Sequence, residues 1–541
     1  MTFLARRSVL RGYRLRMSAG PSLPPRLRAR PASEASREGG PFEGTQRGDI
    51  PLPSLPPRVR RDQERGAPSP SSGVPSPSKS KVLDTDAWLR AIGDWLMRHQ
   101  RTIRALQWLV VLVYFTLLTV PVMLDLPPRA AHIWSNITLF SQFVFWGIWW
   151  PFVLVSMMLV GRLWCGLVCP EGALSEWVSA KSRGYAIPAW LKWSGWPFVA
   201  FAGTTIYGQM VSVYQYPKPA LAILGFSTVG AVGIAFFYGR NKRVWCRYLC
   251  PVTGVFAVLA KLAPVHFRVD PQAWDAWRKV SSAPTPKLNC APLVPIRTMR
   301  GAAACHMCGR CSGFRGAITL ARRSPNHEIV HVAGAEPRPV ETLLIVFGLM
   351  GLAAGAFHWT NSDLYIAAKQ SIAEWLVGHG MIWPLEGLAP WWILTNYPAQ
   401  NDVMSLLDGT VLIGYMLGVM LVIGCIIAVL LGLSVRLLGR WSLARFHHLA
   451  QALIPLAGCG VFLGLSSLTV TMLRNDGFAL GFIAPLRAGL LLGAVVWSLW
   501  LGWQIAALYT GSGVRRAAAM LPLLAALAVS AGTWASLFWS L

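Results

Sequence analysis

Charge is what this sequence has least of. Only 13% of its 541 residues are Asp, Glu, Lys or Arg, about half the share usual in soluble domains. Acidic residues are the scarcer kind, 23 against 50 basic ones, leaving a formal charge of +27. With 54% of the chain hydrophobic, too few charged side chains remain to clothe a water-soluble body of this length, which excludes an ordinary soluble enzyme. Walker A loops, nucleophile elbows and Rossmann fingerprints are absent as well, so the nucleotide and hydrolase chemistries that those phrases carry have no motif here. Cysteine is equally sparing: of 10 in the chain, only Cys425 and Cys459 fall outside residues 165–311. Both sit in the middle of apolar runs and read as ordinary core.

What is present is a series of long apolar runs. They begin near Ala105, Thr138, Gly195, Ala220, Glu341, Thr410, Leu449, Phe482 and Ala517, and each reaches the roughly 20 residues needed to cross about 30 Å of hydrocarbon. The fold class is all-α integral membrane, with about nine transmembrane helices by that yardstick. Lys and Arg crowd residues 1–104, recur at Arg162, Lys181, Arg183 and 240–247, run through 268–340, and return at Arg436, Arg440, Arg445, Arg515 and Arg516. The alternate loops, 126–137, 214–218, 360–409 and 472–481, are poor in both. By the positive-inside rule the N-terminus is cytoplasmic and the C-terminus lies across the membrane. Basic residues arranged loop by loop imply a membrane-lipid partner and no nucleic acid.

Four regions follow. Residues 1–82 are rich in Arg, Pro, Ser and Gly and read as a disordered basic tail; "ARRSVLRG" has no apolar stretch after it and is not an export signal. Residues 83–264 hold an amphipathic entry helix (Trp88, Ile92, Trp95 and Leu96 at helical spacing) and two helical hairpins. Residues 265–340 form a soluble insert, and residues 341–541 five more spans with a non-cytoplasmic loop at 360–409, whose "WWILTNYP" suits the interface.

Each hairpin ends in the same phrase, "RLWCGLVCP" at 162–170 and "RVWCRYLCP" at 243–251, with Cys165 and Cys246 81 residues apart. The insert adds "CHMCGRC", spacing Cys305, Cys308 and Cys311 as Cys-x-x-Cys-x-x-Cys. Three thiolates so spaced wrap a four-iron cubane, each on a different iron. A reducing compartment disfavours disulfides, and a structural zinc site is the competing metal reading. The fourth cysteine of a ferredoxin run is missing, because position 315 is Arg315. Eight thiolates divide into two sets: Cys290, Cys305, Cys308 and Cys311 for one [4Fe-4S] cluster, and Cys165, Cys169, Cys246 and Cys250 for a second, each hairpin supplying half a site. Exchange of Cys169 or Cys250 with Cys290 stays open, so the count is one cluster or two. Pro170 and Pro251 end the local helix, and Arg162, Arg243 and Arg247 place cations beside thiolates, a position that membrane anchoring also explains.

The paired "WCxxxCP" phrases with a ferredoxin-like run resemble the membrane polyferredoxins of the NapH, NosR and CcoG kind, over residues 104–330. The resemblance implies [4Fe-4S] clusters on the cytoplasmic face of the bacterial inner membrane, in a protein passing electrons to or from a quinone pool or a partner across the membrane. This chain departs in having one truncated ferredoxin run and no flavin-attachment motif. Its extra C-terminal spans look more like polyferredoxins that accompany periplasmic ferrous-iron or copper handling.

Histidines give no second carrier. His447 and His448, placed to meet a haem or a quinone headgroup, lie at one end of their span and His358 at the opposite face; no pair shares a depth for bis-histidine haem, so they read as interfacial anchors, with a quinone left open as a cofactor and haem not expected. His306 stands beside the clusters as a tuning or solvated residue, and Arg487 snorkels from a span end. The resulting expectation is an electron-transfer component of an oxidoreductase system with redox partner proteins on one or both sides. Metal-ion transport or metalloenzyme assembly, with regulatory or structural clusters, is the alternative.

Overall fold

The computed structural model describes residues 86–128, 130–280 and 288–539; the basic segment 1–82 lies outside them. Among the described residues, eight helices are long and apolar enough to cross a membrane. In chain order the elements that matter here are the entry helix α1 (Ala87–Arg98) and spans α2 (Gln100–Met123) and α3 (Ile137–Val160), then the short α4 (Leu163–Leu167) and α5 (Pro170–Ser179). Next come α6 (Trp196–Met210), span α7 (Pro217–Tyr238), and the short α8 (Val244–Tyr248) and α9 (Thr253–Leu259). Strands β1 (Val265–Val269) and β2 (Ile318–Arg322) pair antiparallel, Phe267 opposite Leu320. The rest is span α10 (Pro339–Asn361), the loop helix α11 (Asp363–Gly378), and spans α12 (Leu406–Leu437), α13 (Leu443–Asn475), α14 (Ile483–Tyr509) and α15 (Gly513–Phe538).

The ninth expected span is α6, and it is short. Its 15 residues rise only about 22 Å. It still joins the two ends of the bundle: Pro197 at its start lies against Gly254, while the Met210 carbonyl at its finish accepts the Thr395 N–H at 2.9 Å. A turn over 211–215 completes the passage to α7.

The connections sort into two layers. In one, Arg183 N donates to Phe236 O at 2.8 Å, Arg243 N to Ala291 O at 2.8 Å, and the Arg445 guanidinium lies 4.9 Å from the Tyr509 ring. In the other, Ile133 N donates to Asp476 Oδ2 at 3.1 Å, and Tyr216 Oη donates to Asp402 Oδ2 at 2.8 Å. The basic loops of the sequence share the first layer and the loops poor in Lys and Arg share the second, as the charge pattern requires.

Small residues set how closely the spans approach, because lipid supplies no hydrophobic force between helices. A Cβ at Gly424 of α12 would stand 2.3 Å from the Phe347 ring of α10, and one at Gly460 of α13 would stand 2.2 Å from Trp534 of α15. Residues 344–352 of α10 coil as a π-helix and all but Phe347 are buried, which makes α10 the centre of the bundle. One expectation is corrected here: Cys425 faces outward from α12, not into the core. Helix α1 packs on the insert through the buried Leu89, Gly93 and Leu96, with Gly93 against Ser312 and Phe267 and Leu96 against Gly309, while Trp88, Ile92 and Trp95 form an exposed apolar stripe.

Gly424→Leu should therefore overpack the bundle, costing about 1–3 kcal/mol and lowering the unfolding temperature in detergent. Gly414→Leu, on the same helix with nothing within 4 Å of its Cβ position, should leave it unchanged.

Candidate metal centre

The two repeated phrases fold alike. Helices α4 and α8 have five residues each, with Arg162 and Arg243 at their N-caps. Each ends in a turn that aims two backbone donors at one tryptophan carbonyl. Val168 N and Cys169 N both donate to Trp164 O at 3.0 Å, and Leu249 N and Cys250 N donate to Trp245 O at 2.9 and 3.0 Å. The first cysteine of each phrase lies in the five-residue helix and the second in the turn after it. Proline next, with no N–H to satisfy, starts α5 in the first copy.

The structure brings Cys165, Cys169, Cys246 and Cys250 within electrostatic reach of one another. Burial raises the Cys169 thiol well above its usual range, with Cys246 and Cys165 adding to it. Burial likewise pushes Cys246 up to about 12, and raises Cys250, with Glu171, Cys246 and Cys169 adding. Backbone N–H groups already point at sulfur: Gly172 N at Cys169 Sγ, 3.4 Å, and Val252 N–H at Cys250.

The second set is equally self-contained. Cys290, Cys305, Cys308 and Cys311 line one narrow cavity together with His306 and Arg310. Burial pushes Cys305 up to about 12; Cys311 is raised by burial and then by Cys305, Cys308 and Cys290. Met307 N donates to Cys305 Sγ at 3.4 Å. Met307 and Gly309 hold φ of 53° and 76°, the left-handed turns by which the Cys-x-x-Cys-x-x-Cys loop curls round its cavity. His306 is buried, its Nδ1 has no partner, and burial followed by Arg162, Arg243 and Arg247 drives its pKa down.

The two sets adjoin. A Cβ on Gly166, between Cys165 and Cys169, would stand 2.0 Å from the His306 carbonyl oxygen, so only glycine lets α4 touch the insert loop. Arg162 and Arg243, 4% and 2% exposed, lie between the sets and reach across the repeat. Arg162 of the first phrase donates to Thr253 Oγ1 of the second at 2.8 Å and to Ala303 O of the insert at 3.2 Å. Arg243 of the second phrase donates to the Cys165 carbonyl of the first and pairs with Glu176 at 2.7 Å. Its charge acts on Cys246 and Cys308, one thiol from each set. Sequence reasoning gave these arginines a general electrostatic role and missed the exchange. It also missed Glu176, which holds Arg310 too, Glu171, which accepts from Trp245 Nε1 at 3.2 Å, and Gln100, whose amide donates to Cys308 O at 3.1 Å. Their one sequence signal is that both glutamates follow Cys169-Pro170 within a helix that otherwise carries no charge.

Among the described residues, no three His, Cys, Asp or Glu side chains converge on a single ion. One tetrahedral zinc needs its sulfur ligands about 2.3 Å away, whereas the thiolates of a cubane each take a different iron. All-thiol donor sets, sulfur-directed N–H groups and nearby guanidiniums fit the cubane better. His448 meets Tyr509 Oη at 2.6 Å and Ile329 O at 2.9 Å, His358 meets Ala354 O and Thr533 O, and His447 Nδ1 meets Thr342 Oγ1 while its Nε2 is buried without a partner. The Arg487 guanidinium lies 4.3 Å from the Phe538 ring.

A 4Fe-4S binding domain model matches the chain twice, over residues 142–187 and 222–269, each match holding one repeated phrase and neither reaching the insert cysteines. YccM of Escherichia coli (strain K12), named provisionally for electron transport, is 22% identical over 39% of this chain and 65% of its own. The regulatory protein NosR of Pseudomonas aeruginosa is 26% identical over 21% of this chain and 19% of its own. The match spans less than two thirds of either relative. No solved structure matches. The chain is thus similar to membrane-type iron–sulfur electron-transfer proteins, as the repeated phrases implied.

Arg243→Gln would remove the cation shared by the two sets while leaving Glu176 paired with Arg310. The iron–sulfur midpoint potential should fall by about 40–90 mV, the equivalent of about 1–2 kcal/mol for charges at an effective dielectric near 20, read by EPR-monitored redox titration; an unchanged midpoint would place Arg243 outside the redox site.

Proposed function

We propose that the protein is a membrane-bound electron-transfer component that holds two [4Fe-4S] clusters at one end of its bundle. It passes electrons between a cytoplasmic donor or the quinone pool and a partner across the inner membrane, in the service of a reductase or of periplasmic metal handling. The observation that carries this reading is the gathering of eight thiols into two adjacent all-cysteine sets. Clusters so held supply one-electron redox chemistry.

The protein's own residues do the rest. Cys165, Cys169, Cys246 and Cys250 ligate one cluster, and Cys290, Cys305, Cys308 and Cys311 the other. N–H groups of Gly172, Val252 and Met307 stabilise sulfur-borne negative charge, and Arg162 and Arg243 do so from between the sites, favouring reduction. Burial keeps water from the sulfurs, and Gly166 lets the two sites stand close. All of these thiols lie in the layer of basic loops, so the N-terminus and the clusters are cytoplasmic and the C-terminus is periplasmic. Crossing about 30 Å of bilayer then falls to a mobile quinone or a partner subunit.

Protein purified without oxygen should contain about eight irons per chain and give [4Fe-4S] EPR signals after dithionite reduction. Cys165→Ser with Cys246→Ser, or Cys305→Ser with Cys308→Ser, should each bring the count to about four. Zinc without an EPR signal would overturn the reading.

A further inference from the structure

A cleft of about 670 Å³ opens on the insert and shares Met299 as a wall with the cavity of the insert cysteines. Arg268, Arg297, Arg300, Arg322, Arg323 and His266 line it, and no Asp or Glu does. Some of this charge is committed. Arg323 pairs with Glu328 and donates to the carbonyls of Ala260, Lys261 and Ala263; Arg297 pairs with Asp275; Arg322 lies over Trp88. Arg268 and Arg300 are exposed and make no hydrogen bond or ion pair within the described residues. His266 is 8% exposed with its Nδ1 unpartnered. Burial, then Arg323, His327 and Arg268, push its pKa down to about 4. The cleft thus sets a buried ring nitrogen without a partner beside two exposed guanidiniums, a combination suited to an anion.

The cleft does not end there. Ser324 lines it and also heads a second cavity, a groove of about 650 Å³ down the outer face of α14, walled by Gly489, Leu492, Gly493, Val496 and Trp500. Nothing lies within 4 Å of a Cβ on Gly489 or Gly493, so the groove is open along its floor. From Gly489 to Trp500 it runs about 16 Å, the reach of much of an acyl chain, on a surface that faces lipid. At its head Asn326 accepts from Trp497 Nε1 at 2.8 Å and donates to Gln504 Oε1 at 3.0 Å, fixing the turn that joins the two spaces.

We propose that cleft and groove together bind one anionic phospholipid. Its phosphate sits among Arg268, Arg300 and His266 Nδ1, and one acyl chain runs along Gly489 and Gly493 towards the middle of the bilayer. A free phosphate or soluble nucleotide would account for the arginines but not for the apolar groove continuous with them at the level of the basic loops, where headgroups lie. No cysteine lines either space, so the site goes beyond the electron-transfer reading and does not depend on it.

The test uses the full chain in detergent, delipidated and then offered phosphatidylglycerol or phosphatidylcholine, with bound lipid counted by native mass spectrometry and iron measured in parallel. Phosphatidylglycerol should be retained over phosphatidylcholine. The R268Q/R300Q variant should weaken that retention about 10- to 30-fold with iron content unchanged, and Gly493→Leu should weaken it by blocking the groove. Equal retention of both lipids, or phosphatidylglycerol binding indifferent to R268Q/R300Q, would overturn the proposal. So would inorganic phosphate or flavin mononucleotide binding as tightly as the lipid and unaffected by Gly493→Leu, since the cleft would then serve a soluble anion. Loss of iron in every sample would sink the cluster reading and leave the lipid result standing.

Discussion

Two guanidiniums buried among eight thiols are the constraint on which this structure turns. A buried cation without a partner is costly, and so is a cluster of thiolates packed into low dielectric. Each is tolerable here because the other is present. Arg243 reaches the Cys165 carbonyl of the first phrase and has its charge met by Glu176 of α5, while Arg162 reaches the Thr253 hydroxyl beyond the second phrase and keeps a buried Nε without a partner. The hairpins have to pack side by side before either guanidinium finds these partners. Glu176, holding both Arg243 and Arg310, fastens the insert loop to the same network.

Much of this was legible in the residues. Long apolar runs fix the spans, and alternation of basic and charge-poor loops fixes the two layers, because both follow from one-dimensional physics: the thickness of hydrocarbon and the sign of charge on each side. Ligand arithmetic and the repeat pointed to a partition of the cysteines with an exchange of Cys169 or Cys250 for Cys290 left open, and the two sets proposed above follow that partition. What the residues withheld were relations set by packing in three dimensions. No periodicity distinguishes the outward Cys425 from the packed Gly424 beside it, since a span is apolar all round and only its neighbours decide which face is inside. Helix α1 shows the same limit: Trp88, Ile92 and Trp95 face out as an apolar stripe, while Leu96 turns with Leu89 and Gly93 to the insert. The short α6 was read as a full span because composition does not reveal where a turn takes over the last part of a crossing.

The family match falls on the membrane phrases and not on the insert run that looked most like a ferredoxin. Structure gives the reason this is sensible. The phrases are built into the helices that carry the bundle, with identical backbone turns at Trp164 and Trp245, so their spacing is bound to the fold. The insert loop is held by side-chain contacts from outside itself, such as Gln100 to Cys308 and Glu328 to the N–H groups of Ala302 and Ala303.

Placement of both cysteine sets at one end of the bundle also shapes what the remaining helices can do. Among the described residues every gathered thiol is in the basic-loop layer, so the proposed passage of electrons to the far side calls for a carrier in the bilayer or another protein. The C-terminal spans carry none of the gathered thiols. Their deep glycines close the packing around α10, where a Cβ at Gly351 would meet the Met420 carbonyl at 2.8 Å. At the cysteine end the same spans receive the insert through Asn326 on Trp497 and His448 on Ile329. A rigid seat at that end holds the insert against α4, and the contact at Gly166 that keeps the two thiol sets together rests on that seat.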